Sequence, residues 1–380
     1  MNHRGPATLK CFETTSRHPR FQECLSELVH FFRFPGDKRL CIVVGVAGSG
    51  KSKLKDELIK HIVAESQGEM ASDPEHIPYA SIKIKAPGPT AFSWKDPYNL
   101  LLGELRHPFA GKSPDPRLNE ISTGGNQSRE RSISQRSNDY LFRVLQTTIE
   151  HRKPKALIFD EGQHVLRLTT AQSVRNQLDH LKFFADEMDT PIYIFGQYEL
   201  MVLANLSAQV VRRREVTHLG RYIFDVRNPE SSLRGFASAV AHFNKDLREF
   251  CAFELLKEVP YLYEGSVGCV GILHDWLLKT YNRRTALGTR SITKALLEET
   301  IMSVSDRKQI LSEALEGESR LTEGQNDERE YLRDLGFVAA EDESIQPKVG
   351  RKRRLPGRRN PHNDPVGTHN LRAGAEHVAA

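Results

Sequence analysis

Apolar residues follow two rhythms along the chain, and the rhythm changes near residue 229. Before that point, a continuous apolar run rich in β-branched side chains occupies 40–44, and similar short, mainly apolar runs recur at 79–84, 156–159, 192–195 and 222–226. Runs of this kind are expected of strands buried on both faces of a parallel sheet. Between them, apolar positions recur three and four apart at 51–64, 91–105, 139–151, 171–188 and 199–211, a spacing that predicts amphipathic helices. Strands alternating with helices predict an α/β fold with a parallel central sheet. Beyond Pro229 the strand-like runs stop, and 231–250, 267–281 and 292–315 predict a smaller, all-helical domain.

These patterns give four regions: an N-terminal helical segment over 1–38, an α/β core over 39–228, a helical domain over 229–315, and a tail over 316–380. The tail is expected to be largely disordered apart from a short helix at 327–335. Inside the core, 111–138 is dense in Ser, Arg, Asn, Pro and Gly and reads as a flexible insert. No internal repeat is visible.

The first strand runs into Gly45-Val46-Ala47-Gly48-Ser49-Gly50-Lys51-Ser52 and then into a helix, the strand–loop–helix setting that the Walker A pattern requires. The glycines let backbone N–H groups curl round an anion, the helix N-terminus adds its dipole, and Lys51 adds a point charge for the β/γ-phosphates. The Ser52 hydroxyl is a candidate magnesium ligand, and Lys53 completes the candidate nucleotide-binding set. ATP and Mg2+ are the expected ligands.

Such a site needs an acid at the end of a neighbouring strand, and Ala156-Leu157-Ile158-Phe159-Asp160-Glu161 supplies two. Asp160 is the candidate magnesium holder and Glu161 the candidate base for the attacking water. Read alone, the same run is a capped strand end. Gln197 ends the run 192–195 and is a candidate to touch the γ-phosphate or its water, against the plainer reading of a solvent-facing residue. Arg212, Arg213 and Arg214 follow the next predicted helix and Arg221 precedes the last predicted strand. Each is either an arginine finger for a neighbouring subunit's ATP or a basic helix end.

Charge adds a segregated pattern to the net +5. Residues 312–343 carry eleven acids against three bases, and 347–380 carry eight Lys/Arg against two acids. A basic body followed by an acidic stretch and a basic tail is compatible with nucleic-acid contact, though solvated charge explains each run equally well. The five cysteines are odd in number and without a Cys-x-x-Cys pair, which argues against a disulfide framework or a thiolate zinc site. With no apolar leader and no apolar run near membrane-spanning length, the expectation is a cytoplasmic protein with no membrane partner.

Several short stretches together resemble the TnsC/TniB-type AAA+ regulators of DNA transposition, over roughly 21–284 and part of the tail. Asp160-Glu161-Gly162-Gln163-His164 is similar to that family's Asp-Glu-Ala-Gln-His, with glycine for alanine. Ser93-Trp94-Lys95-Asp96-Pro97-Tyr98 resembles its Trp-Lys-Asp segment ahead of a helix ending at His107-Pro108. Gly196-Gln197-Tyr198-Glu199-Leu200 resembles Gly-Thr-Tyr-Glu-Leu, and the stretch from Leu206 to Tyr222 resembles its Leu-Ser-x-Gln, Arg-Arg and Arg-Tyr elements. Gly265-Ser266-Val267-Gly268 with Trp276-Leu277 resembles the lid helix. Gln197 stands where the first sensor is usually threonine or asparagine, and no arginine stands at the second-sensor place near 265–268.

The resemblance implies an AAA+ P-loop ATPase with a helical lid. It would form an ATP-loaded ring or helical filament on double-stranded target DNA, between a target-selection protein and transposase subunits, with hydrolysis disassembling it. The setting it implies is bacterial and nucleoid-associated. The basic tail, from Gly350-Arg351-Lys352-Arg353-Arg354 to Gly367, looks like the family's transposase-engaging segment, with a nucleic-acid-sticky or solubilising tail as the plainer reading. For DNA contact the first candidates are Arg129, Arg131 and Arg136 in the insert, then Lys83 and Lys85, which alternate with apolar residues on one strand.

Three rival readings remain. A GTPase or small-molecule kinase is disfavoured because the guanine-reading Asn-Lys-x-Asp is missing. A non-hydrolysing, ATP-switched scaffold keeps the same fold, and so does an AAA+ ATPase of another role, helicase-loader-like or secretion-associated.

Overall fold

The computed structural model of the protein describes residues 9–37, 39–87, 92–108, 137–166, 180–181, 183–201 and 214–326. By its contacts the chain divides into Met1–Glu323 and Gly324–Ala380, and the fold below is that of the first unit. The basic tail and the predicted helix at 327–335 lie outside the described residues.

Five parallel strands form the central sheet: β1 (Leu40–Val44), β2 (Tyr79–Lys83), β3 (Ala156–Asp160), β4 (Ile192–Gly196) and β5 (Arg214–His218), in the spatial order β2-β3-β4-β1-β5. Strand side chains alternate between the two faces. Ile42, Val44, Leu157, Phe159, Ile192 and Ile194 enter a core roofed by α5 (Lys95–Glu104) and α6 (Asn138–Arg152). Cys41, Val43, Ala156, Ile158, Tyr193 and Phe195 enter the opposite core, closed by α2 (Pro19–Arg33) and α3 (Lys51–Glu65). Burial on both faces is why these strands are continuous apolar runs. Two short helices, α1 (Lys10–Glu13) and α4 (Gln67–Ser72), also belong to this half.

The last strand is not at 222–226, as the apolar run there predicts, but at Arg214–His218, paired with β1 from Leu40↔Arg214 to Val44↔His218. An edge strand is paired along one side only and tolerates charged residues, so Arg214, Glu215 and His218 mask it. The apolar run instead leaves the sheet: Tyr222 turns into the helical domain, while Ile223, Phe224 and Val226 are exposed. Of the predicted helix over 171–188, residues 180–181 and 183–187 are described and helical. Of the predicted helix over 199–211, the described residues are the end of a 3-10 turn, Tyr198–Leu200, and Met201, which is helical.

The helical part that follows comprises α7 (Pro229–Leu247), α8 (Val259–Ser266), α9 (Val270–Ala286), α10 (Lys294–Thr300) and α11 (Val304–Asn326). The single helix expected over 292–315 is two, because Ile301 is extended and Ser303 restarts the chain, its Oγ accepting the Asp306 N–H at 3.2 Å. α11 also continues past 316 into the acidic stretch read above as disordered. Tertiary contacts explain this: Ala314 is buried, Gly317 packs under the Tyr198 ring, and Glu318 pairs with Arg221. A net-charge reading cannot register such contacts. The N-terminal segment joins both halves: Phe12 of α1 lies in the helical domain's core, while Phe21 and Leu28 of α2 lie against the sheet.

Candidate functional site

β1 delivers the chain to the loop 45–50 at the carboxyl edge of the sheet, and α3 begins at its far end. Gly48 and Gly50 have φ of +75° and +105°, conformations that L side chains resist. The Lys51 ammonium reaches back into the loop, donating to the carbonyls of Gly45 at 2.7 Å and Val46 at 2.8 Å. Burial pushes its pKa down to about 8, against the pull of Glu161, Cys269 and Asp160. Ser49 is buried and its Oγ makes no hydrogen bond. α3 starts without a side-chain cap, so its first N–H groups remain available to an anion. Ser52 and Lys53 are exposed on its first turn.

β3, two strands away, ends on the acids. Asp160 Oδ2 is 2.6 Å from the Lys55 ammonium, and both side chains are mostly buried. Lys55 lies four residues after Lys51 and shares its helix face, a spacing that could have singled it out from the sequence. Asp160 Oδ1 accepts the N–H of Glu161 at 3.0 Å, holding the turn in which Glu161 takes a φ of +57°. The Gln163 amide donates to Glu161 Oε2 at 2.6 Å, and the Lys83 ammonium lies 3.6 Å from Oε1. β4, between β3 and β1, ends at half-buried Gln197. Lys51, Asp160, Glu161 and Gln197 are thus at the carboxyl ends of three adjacent strands or just beyond them.

The helical domain closes directly on this loop. A methyl group built on Gly271 of α9 would lie 2.4 Å from the Gly48 carbonyl oxygen, and one built on Gly48 would lie 2.6 Å from Ile272 Cγ1. Residues 35–204 match the family model described as an AAA domain. The fold agrees, being the AAA+ P-loop arrangement of a five-stranded parallel sheet with surrounding helices. Among solved structures, the ORC2 protein of Aeropyrum pernix in its ADP form is similar at 12% identity and a TM-score of 0.51, over 79% of this chain and 70% of that one. A Walker-type ATPase of Pyrococcus abyssi aligns at 15% identity over 87% of each chain with a TM-score of 0.45. Domain III of the Thermotoga maritima replication initiation protein DnaA aligns at 14% identity over 79% of this chain and all of that one, with a TM-score of 0.42. No curated protein matches the chain.

Of the arginines singled out in the sequence, Arg212 and Arg213 lie outside the described residues, as do Arg129, Arg131 and Arg136. Arg221 is not at an exposed edge: its side chain is 8% exposed and its Nε lies 3.1 Å from Glu318 Oε1 of α11. Lys83 and Lys85 are exposed while Ile82 and Ile84 are buried, so the two lysines share one open face at the end of an edge strand. Gln163 stood in the quoted Asp-Glu-Gly-Gln-His run without a role. The contact of α9 with the loop and the Arg221–Glu318 pair left no local signal, being made by residues far apart in the chain.

The residues present fit a nucleoside triphosphate with a hard divalent cation. The loop offers a half-buried cation, a hydroxyl without a partner among the described residues and open helix N–H groups for phosphate, and Ser52 with Asp160 offers oxygen ligands of the kind magnesium takes.

Proposed function

We propose that the chain is an ATP-hydrolysing switch that assembles on duplex DNA as a regulator of transposition. The observation that carries the ATPase part is the meeting of Lys51, Asp160, Glu161 and Gln197 on three neighbouring strand ends. Lys51 and the first turn of α3 bind the β- and γ-phosphates, and Ser52 and Asp160 hold the cation. When bound, magnesium neutralises charge on the phosphates. Glu161 accepts the proton of the attacking water, and Gln197 orients that water or the γ-phosphate. Lys55 holds Asp160 at the strand end.

The regulator part rests on the AAA+ fold and on the Asp-Glu-Gly-Gln-His, Trp-Lys-Asp and Gly-Gln-Tyr-Glu-Leu segments described above. In this reading the protein forms a ring or filament on target DNA, with Lys83 and Lys85, and Arg129, Arg131 and Arg136, facing the phosphates. Arg212 or Arg213 completes a neighbour's site. The tail engages transposase subunits, a target-selection protein recruits the assembly, and hydrolysis releases it.

Electron microscopy of the protein with duplex DNA, in ATP, a non-hydrolysable analogue and ADP, tests both parts. Assemblies on DNA with ATP or the analogue but not ADP are expected, and Glu161→Gln should make the ATP form persist. Monomers indifferent to DNA in all three states would remove the regulator reading. A Glu161→Gln variant that turns over ATP like the parent would remove Glu161 as the base.

A further inference from the structure

Gln163 is 3% exposed, a polar side chain placed under the site. It sits on the 3-10 turn Gly162–Leu166 that follows β3. Its NH2 group donates to Glu161 Oε2 at 2.6 Å, and its Oε1 accepts the backbone N–H of Gln197 at 3.3 Å. Both partners fix the amide's orientation: a backbone N–H can only donate and an ionised carboxylate can only accept, so oxygen must face Gln197 and nitrogen must face Glu161. The space is made by a glycine. A methyl group on Gly196 would lie 2.4 Å from Gln163 Oε1, so any larger residue at the end of β4 would displace the amide.

This one side chain therefore joins the acid after β3 to the polar residue after β4, the two groups assigned to the attacking water. Glu161 itself has a left-handed backbone, a conformation that costs energy for a residue with a Cβ and needs support from its surroundings. On the other side, Lys83 is 71% exposed and 3.6 Å from Glu161 Oε1, a contact too loose and too wet to fix the carboxylate.

We propose that Gln163 is a positioning residue for hydrolysis: its amide clamps the Glu161 carboxylate to the backbone of Gln197, setting their separation. The proposal rests on the ATPase reading above. Gln163 touches no reacting atom and acts through Glu161. It leaves nucleotide binding to the loop 45–52.

Two variants test it. Gln163→Glu keeps size and an acceptor for the Gln197 N–H but replaces the donor to Glu161 by a second carboxylate, whereas Gln163→Leu removes both bonds. Both should lower kcat by roughly 10- to 100-fold, the scale of a lost hydrogen bond to a charged group, with KM and the affinity for a fluorescent ATP analogue within about twofold. In a Glu161→Gln background neither should lower the residual rate further, since the effect runs through Glu161. Independently of turnover, hydrogen exchange at the Gln197 amide should accelerate in Gln163→Leu and stay slow in Gln163→Glu.

Turnover of Gln163→Glu near the parent's, an equal further loss in the Glu161→Gln background, or a Gln197 amide indifferent to Gln163→Leu would each overturn the proposal. A parent protein that turns over no ATP would remove the ATPase reading, and this one with it. An active parent, an inactive Glu161→Gln and a parent-like Gln163→Glu would remove this one alone.

Discussion

Lys51 is the residue on which nucleotide binding turns. It is a half-buried cation satisfied by two loop carbonyls, and its pKa is pushed down to about 8 by desolvation. Lys51→Ala removes a charge-assisted contact of a kind worth about 1.5–3 kcal/mol. Titration with a fluorescent ATP analogue should accordingly show affinity reduced roughly 10- to 100-fold. Unchanged affinity would mean that the loop binds through its backbone alone. The loop was legible because its chemistry is local: eight consecutive residues carry the turn, the charge and the hydroxyl. Glu161 was legible as an acid after a strand, but its left-handed backbone and its clamp to β4 were not. They depend on which strand is next to which, and sequence spacing does not report that.

At the level of elements, His18 shows how a helix start ties stability to pH. Its Nδ1 accepts the Phe21 N–H at 3.3 Å, capping α2, and lies 2.9 Å from the Tyr222 hydroxyl. Burial, with Arg20 nearby, pushes its pKa down to about 4, and His218 at the end of β5 is pushed down to about 4 by burial with help from Arg20 and Lys51. Both are neutral in the folded protein, whereas the unfolded chain takes up their protons below its ordinary histidine pKa near 6.5. Their contribution is therefore complete above pH 6.5 and is lost as the pH falls toward about 4. At pH 5 the loss is roughly 2 kcal/mol per histidine. Urea unfolding at pH 7 and pH 5 should show it, and His18→Asn, which keeps a capping acceptor without a proton to gain, should shrink the difference by about that amount. Equal pH dependence in the two proteins would exclude His18 as its source. A helical segment was expected somewhere within 1–38, but a capping histidine was not, because caps of this type are more often Ser, Thr, Asp or Asn. β5 escaped for the opposite reason, since its polar residues break the apolar run by which the inner strands were found.

Across the whole molecule, the buried pair Arg221–Glu318 fastens α11 beside the AAA domain, with Tyr198 packed over Gly317. Glu318→Ala would leave the guanidinium buried without its partner, a change that costs roughly 3 kcal/mol. Denaturant midpoints should report that loss, and limited proteolysis should begin within α11. A variant as stable as its parent would show that water reaches Arg221 readily. The switch from strands alternating with helices to helices alone was plain from the change of rhythm near residue 229. How the two meet was not plain, because the contacts join residues such as 48 with 271 and 221 with 318.

The seating of α9 on the loop has a mechanical side. Gly271 and Gly48 meet backbone to backbone, with no Gly271 side chain to cushion the contact. α9 is a stiff rod of 17 residues, about 25 Å long at 1.5 Å per residue. With the loop as fulcrum, a tilt of about 5° moves the far end of such a rod by about 2 Å. Phe12 of α1 packs against His274 and Tyr281, about 4 Å and 15 Å along the α9 shaft from Gly271 at 1.5 Å per residue, so a tilt about the loop would be felt at the N-terminal segment.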